Sequence, residues 1–216
     1  IEGVTGEGGN EFESAVDAVI GGDLPTLKSL LRQFPSLIKT HTSRIHRATL
    51  LHYVAANGVE DFRQITPPNA VEIAICLLDA GAEVGASANT YGGGKNQTAM
   101  NLLVSSAHPA KAGLMVPLVE ALLDYGATIN GLEGNGSPLE VALSFGYLDA
   151  AETLVARGAK VNNIATAASL DLMDLVERFF HNVGKLESEQ ALVCACKFGK
   201  TEIVKYLLRN EVGVGV

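Results

Sequence analysis

Apolar helix ends that are followed by glycine recur along the chain. In Leu77–Val84, two large apolar residues and two further residues precede a glycine, and Leu122–Ile129 and Leu154–Val161 repeat this order. Each copy predicts the end of an apolar helix, a glycine in the left-handed conformation and a short extended segment. A pattern that returns at intervals of tens of residues indicates stacked units, none of which can bury its apolar face alone.

A second pattern precedes these helix ends. Thr49–Gly58 predicts a short first helix that is rich in small apolar residues and is closed by a glycine. Threonine and serine are favourable N-caps, and Pro138 directly after Ser137 occupies the first helical position, where its missing N–H costs nothing. Small residues such as Ala55 and Ala142 let neighbouring helices approach closely. The same register appears at Thr98–Val104, Ser137–Gly146 and Gln190–Gly199.

Together the two patterns resemble the ankyrin repeat, whose signature is a Thr-Pro-Leu-His-x-Ala helix, a glycine turn, a second helix ending in Leu-Leu, and Gly-Ala-x-Val-Asn. Thr49–Gly58 matches the first half, including His52, and Gly126–Asn130 and Gly158–Asn162 match the second half. The resemblance covers residues 12–210. It implies an all-α fold, an ankyrin-repeat solenoid of stacked helix-turn-helix units with hairpin-like loops.

On this register the chain divides into six repeats. A flexible tail, residues 1–11, precedes them, and residues 213–216 are expected to be a truncated or flexible end. The fifth repeat is degenerate, because Asp171 stands where glycine is expected. The repeats form a single predicted domain, 12–212, with units near 12–38, 48–84, 97–130, 137–162, 163–181 and 187–212.

Two segments are too long for an ordinary repeat. We interpret Val59–Asn69 and Ser106–Gly113 as insertions between the two helices of the second and third repeats, and Pro67 and Pro109 favour loops there. Between those repeats, Tyr91–Thr98 contains the glycine run 92–94 and predicts an extended, mobile finger. A finger is favoured over a phosphate loop, because Asn96 rather than Ser or Thr comes directly after Lys95 and no parallel-sheet pattern surrounds the segment.

Composition narrows the range of functions. The formal net charge is −8, so nucleic acid is disfavoured as a partner and a basic segment of a protein is favoured. No apolar stretch reaches the ~20 residues of a membrane helix. Three cysteines make no disulfide framework, which favours a cytoplasmic or otherwise intracellular protein. Because the chain begins at Ile1 without Met, we expect a fragment or a processed form, and a removed targeting sequence stays an open alternative. Because the last predicted repeat has no polar capping unit after it, we expect further sequence beyond Val216, with the alternative that something else covers this end.

The histidines have structural interpretations. The ankyrin resemblance implies that His52 bonds to a threonine and to backbone, and so ties its own repeat to the next. His41, His46 and His52 lie within twelve residues, but no cysteine or carboxylate is suitably close to complete a metal site. We therefore expect no metal.

Candidate nucleophiles lack the partners that catalysis requires. Cys194 and Cys196 are expected to be small core residues on a helix, since free cysteine behaves as a buried apolar residue. Ser105, Ser106 and His108 lack an oxyanion site and an orienting acid in a recognisable framework. These observations favour a protein that is not an enzyme and uses no cofactor.

In ankyrin proteins, partner contacts come from hairpin tips and from inner-helix residues after the two-alanine position, which together form a concave face. The resemblance implies a non-enzymatic protein–protein interaction module, favoured as a monomer, that presents a concave, acidic surface to a protein partner. Aromatic anchors dominate many interfaces, although Phe145 and Phe198 have the alternative of packing back against the outer helix. The implied partner-binding residues are Tyr91, Lys95, Asn96, Asn57, Ser105, Ser106, Leu132, Asn135, Ser144, Phe145, Lys197 and Phe198.

Two other classes of function stay open. The chain is alternatively a structural or regulatory domain of a larger protein whose active part is missing here. An enzyme is the third hypothesis, and it requires Val59–Asn69, Tyr91–Gln97 and Ser106–Gly113 to converge on one pocket with titratable side chains.

Overall fold

A computed structural model describes residues 8–90, 94–132 and 137–213 of the chain. Within those ranges the protein is mostly helical, with thirteen α-helices, two short 3-10 helices and one pair of two-residue strands. The prediction of an all-α fold is confirmed. No helix among the described residues is long and apolar enough to cross a membrane. The chain forms two compact units, Ile1–Leu154 and Val155–Val216.

The first unit is built from consecutive helix pairs, and its last helix ends two residues past the unit boundary. The 3-10 helices, Pro35–Lys39 and Asp61–Arg63, lie in the connections. The α-helices are α1 (Gly8–Gly21), α2 (Leu24–Gln33), α3 (Leu50–Val54), α4 (Ala70–Asp79), α5 (Ala99–Leu103), α6 (Ala107–Lys111), α7 (Met115–Asp124), α8 (Pro138–Phe145) and α9 (Leu148–Ala156).

Helices of the same kind contact one another in this unit. The first helices of successive pairs, α1, α3, α5 and α8, each contact the next one in that order. The second helices, α2, α4 and α7, do the same. Leu50, Leu77, Leu118 and Leu139 are fully buried between these layers. Helices α3, α4 and α5 therefore each contact helices of the pair before and of the pair after their own.

The second unit has a core of its own. Its helices are α10 (Ile164–Ser169), α11 (Met173–Phe180), α12 (Lys185–Lys197) and α13 (Thr201–Arg209). Helix α10 packs on α12, and each contacts its own partner, α11 or α13. Ala167, Val176, Ala195 and Ile203 are fully buried at the centre of this core. Small side chains on α10 and α12 allow the two helices to approach closely.

The predicted helix ends are left-handed turns. At Gly126, φ is 87°, and the N–H of Ala127 donates to the carbonyl of Leu122 at 2.9 Å, which closes helix α7. Asp171 adopts the same conformation with φ of 62° at the end of α10. A non-glycine residue is strained there, although Asp tolerates the region better than most residues. The segment predicted to be a degenerate fifth repeat thus keeps the turn without the glycine.

The finger between the second and third predicted repeats begins as an antiparallel pair of strands. β1 (Ser87–Ala88) pairs with β2 (Gln97–Thr98), with Ser87 opposite Thr98. Farther out, the N–H of Thr90 donates to the carbonyl of Gly94 at 2.7 Å. The predicted tip at Tyr91 lies outside the described residues.

Helices also form in two segments where the sequence predicted none, residues 8–11 of the tail and Ala107–Lys111 of the second insertion. Helix α1 begins at Gly8, inside the predicted tail, because Phe12 and Val16 are buried and anchor it from its first turn. In the predicted loop Ser106–Gly113, helix α6 forms with Pro109 buried in its first turn. A proline is tolerated at that position because no intrahelical N–H donor is needed there.

Candidate interaction surface

His52 makes the bonds that the ankyrin resemblance implies. Its Nδ1 accepts from the backbone N–H of Thr49 at 3.1 Å and contacts the Thr49 hydroxyl at 2.8 Å. Its Nε2 lies 3.2 Å from the carbonyl of Gln97, a residue of the next predicted repeat. Burial lowers the pKa of His52 to about 4, so the imidazole is neutral and Nε2 carries the proton that Gln97 accepts. The role is structural.

Three of the predicted partner-binding residues, Asn57, Ser105 and Ser106, make hydrogen bonds within the protein. Ser106 is a correction: its side chain is buried and its hydroxyl donates to the carbonyl of Ala56 at 2.9 Å. The Asn57 amide donates to the Ser105 hydroxyl at 2.8 Å and to the carbonyl of Leu102 at 3.3 Å. These polar side chains satisfy backbone groups across neighbouring helices, which sequence position alone did not reveal.

Other predicted residues of the first unit face solvent. Lys95, Asn96 and Ser144 are exposed, and Leu132 is half-buried. Phe145 is 58% exposed, and its ring stacks on Tyr147 with the centroids 6.3 Å apart. Phe145 therefore does not pack back into the core. Tyr91 and Asn135 lie outside the described residues.

Lys197 and Phe198 belong to the second unit. Phe198 is half-buried and Lys197 is exposed, with its Nζ 5.1 Å from the centroid of the Phe198 ring. This cation–π contact covers part of the predicted aromatic anchor. Nearby, Cys196 is exposed and Cys194 half-buried, contrary to the predicted core positions, because Ala195 between them takes the inward-facing position on α12.

A buried carboxylate holds together two loops of the first unit. Glu60, in the predicted insertion, bonds to Arg44, to Arg63 at 3.3 Å and to His46 Nε2 at 3.3 Å. Glu13 of helix α1 accepts from the same two guanidinium groups, from Arg44 at 3.0 Å and from Arg63 at 2.6 Å. This Glu60 cluster fixes the 41–47 and 59–65 segments against α1.

The protonation states of the cluster follow from its geometry. The N–H of Ala48 donates to His46 Nδ1 at 3.2 Å, so Nε2 carries the proton and faces Glu60. Burial, and next the charge of Arg44, lower the pKa of His46 and keep it neutral. Burial alone would lower the pKa of Arg63, but the hydrogen bond and the charge of Glu13 raise it above its ordinary value. The carboxylates are held by cations and are poorly placed to abstract a proton.

The three histidines have separate partners. His41 Nδ1 lies 2.7 Å from the carbonyl of Arg47, while His46 and His52 bond as described above. The carboxylate of Glu60 does stand beside His46, which the sequence did not indicate. No group of three or more His, Cys, Asp and Glu side chains able to hold a metal ion occurs in the described residues.

The two loops fixed by the Glu60 cluster present large apolar side chains to water. Ile45 lies between the two cluster residues Arg44 and His46 and is 90% exposed, and Phe62 is 70% exposed with the Arg63 guanidinium over its ring. Neither residue was among the predicted partner-binding residues. Phe62 could have been found from the sequence, because it is an aromatic residue in an insertion whose apolar residues do not follow a helical period.

No protein-family model matches this chain, and a search of curated proteins finds no significant match.

Proposed function

We propose that the chain is an ankyrin-repeat protein, with the helix pairs of each unit stacked as a solenoid, and that it is a non-enzymatic protein–protein interaction module. Three features support the family: the alternation of first and second helices, the left-handed turns that close α7 and α10, and the bonds of His52 to Thr49 and Gln97. The bond between His52 and Gln97 joins residues that are 45 positions apart in the sequence.

The observation that carries the binding function is the exposure of Ile45 and Phe62 on loops fixed by the Glu60 cluster. An exposed aromatic or branched side chain gains about 1.5–3 kcal/mol when a partner buries it fully. Loops that are already fixed lose little conformational entropy on association, so more of that gain appears as affinity. The partner is a protein rather than a nucleic acid, given the net charge of −8.

No catalytic role, metal or cofactor forms part of the proposal. The strongest cluster of titratable side chains in the described part of the chain pairs its carboxylates with guanidinium groups, which suits a structural brace. The three cysteines, Cys76, Cys194 and Cys196, are free thiols in the structure, in keeping with a reducing, intracellular compartment and a monomer as the working hypothesis.

Affinity capture with matched variants tests this function. The parent is compared with an Ile45→Ser/Phe62→Ser variant and with a Leu186→Ser/Leu208→Ser control, whose apolar side chains are similarly exposed in the second unit. Far-UV circular dichroism and thermal melting establish that all three are folded. We expect quantitative mass spectrometry to find a protein retained by the parent and by the control and lost by the loop variant. Equal retention by all three proteins would contradict the proposed surface.

A further inference from the structure

A groove in the first unit lies beside the exposed Phe145 and well apart in sequence from the Glu60 cluster. It has a volume of about 410 Å³ and is open to solvent. Its walls come from two left-handed helix-stop turns and from the starts of the helices that follow them. The lining residues are Ala110, Gly113, Met115, Val116, Gly146, Tyr147, Leu148, Asp149 and Ala150.

The groove is preformed. At one wall the N–H of Leu114 donates to the carbonyl of Pro109 at 2.9 Å, and at the other the N–H of Tyr147 donates to the carbonyl of Ala142 at 2.9 Å. Phe145 is not a lining residue, but its ring stacks on that of the lining residue Tyr147 and so adds a second aromatic side chain next to this wall. A ligand in the groove would therefore contact backbone and aromatic side chains that are already fixed. The protein would then lose little conformational entropy on binding.

Among the charged residues that line or adjoin the groove, three acidic side chains stand against one basic side chain, Lys111. Asp149 lines the groove in the first turn of α9, and Glu152 lies three residues later on the same face of that helix. On helix α7, Glu120 lies four residues after the lining residue Val116. All three carboxylates are on exposed residues, so they remain available to a ligand from solvent. The ligand is expected to combine positive charge with an apolar group.

We propose that this groove binds a segment of a partner protein in which arginine or lysine flanks a large apolar side chain. The apolar side chain enters between the two turns and contacts Phe145 and Tyr147, while the cation reaches Asp149 and Glu152. A lipid surface or a nucleic acid does not fit, because its phosphates would meet carboxylates. This inference rests on the proposed function as an interaction module, and it specifies the chemistry of a partner.

Selection from a displayed library of random peptides tests the proposal, followed by fluorescence anisotropy with the enriched peptides at physiological ionic strength. We expect enriched peptides to carry Arg or Lys next to Phe, Leu or Ile. Their affinity should fall about five-fold in Asp149→Asn/Glu152→Gln and about ten-fold in Phe145→Ser. The matched control is Asp174→Asn/Glu177→Gln, an exposed acidic pair with the same spacing on α11.

A further variant tests the groove independently, in case Phe145→Ser or Asp149→Asn/Glu152→Gln does not fold. Val116→Lys places a cation at a half-exposed position of the groove and should repel the same peptides. The absence of basic, apolar peptides after selection would overturn the proposal, as would equal losses in the groove variant and in the α11 control. Capture of a protein through Ile45 and Phe62 without any peptide that depends on the groove would overturn this inference alone and leave the proposed function standing.

Discussion

At the scale of single residues, the helix stops impose a conformation that only some side chains tolerate. At Gly126, φ is 87° and a Cβ would meet no atom within 4 Å, so only backbone strain opposes a substitution. We expect Gly126→Ala to destabilise the fold by about 1 kcal/mol, measured by urea unfolding. Gly85→Ala is the control, because that position also has space for a Cβ but lacks a positive φ. Equal effects of the two substitutions would contradict the argument.

At Asp171 the opposite substitution, to glycine, can be tested in the same left-handed conformation. Its φ is 62° at the turn between α10 and α11, where the N–H of Leu172 donates to the carbonyl of Ala167 at 3.0 Å. We expect Asp171→Gly to raise the free energy of unfolding by roughly 0.5–1 kcal/mol, because glycine relieves the strain of the left-handed conformation. Asp174→Gly within helix α11 should lower it instead. Loss of stability in Asp171→Gly would show that the aspartate side chain has a role beyond occupying the turn.

His52 makes stability depend on pH. Its pKa is about 4 in the folded protein, against 6.5 for an unperturbed histidine, so the unfolded chain binds the proton more tightly. The stability that neutral His52 contributes is present in full above pH 6.5 and is lost as the pH falls through 6.5 towards 4. Between about pH 7 and about pH 5 this amounts to roughly 2 kcal/mol.

Urea unfolding of the parent and of His52→Asn at both pH values checks this dependence. Asn101 occupies the same register position in the next predicted repeat, so asparagine is a conservative choice. His46, whose pKa burial also lowers, is present in both proteins and its contribution cancels in the comparison. The variant should lose less stability on acidification than the parent does. Parallel losses in the two proteins would mean that His52 is not the titrating group.

At the scale of elements, the Glu60 cluster holds the insertion and the 41–47 segment against α1. Replacing Glu60 with Gln removes one of the two carboxylates that Arg44 and Arg63 share and leaves them only Glu13, while position 60 stays buried. We expect a loss of about 2 kcal/mol, below the figure for a fully buried pair because Arg44 is partly exposed. Glu202→Gln, which breaks the exposed pair with Lys205 on α13, is the control and should leave the melting temperature unchanged. If Glu60→Gln is as stable as the parent, the Glu60 cluster does not hold the two loops in place.

Local patterns in the sequence predicted local structure but did not predict long-range contacts. The turn at Gly126 depends on neighbouring residues, and its position was predicted correctly. The burial of Ser106 depends instead on the carbonyl of Ala56, 50 residues away, which no periodicity indicates. The partners of Glu60 come from a segment 14 to 16 residues earlier, as well as from Arg63 nearby. The Ile45 and Phe62 surface was missed for the same reason.

At the scale of the whole chain, each of the two units buries side chains of its own. Leu118 is fully buried in the first unit, and Ile203 is fully buried in the second. Where contacts are mostly between neighbouring helix pairs, stability is close to a sum of local terms, and unfolding need not be a single transition. The effect of a cavity should then be confined to the unit that contains it.

Native-state hydrogen exchange measures this confinement directly. Ile203→Ala creates a cavity in the second unit at a cost of about 3 kcal/mol. We expect the amides of α10 to α13 to exchange faster, while the protected amides of α3, α4 and α7 keep the rates of the parent. Leu118→Ala should give the converse result, with faster exchange in the first unit. Equal acceleration throughout the chain in either variant would mean that the protein unfolds as one cooperative body, because the opening that exposes one core would then expose the other.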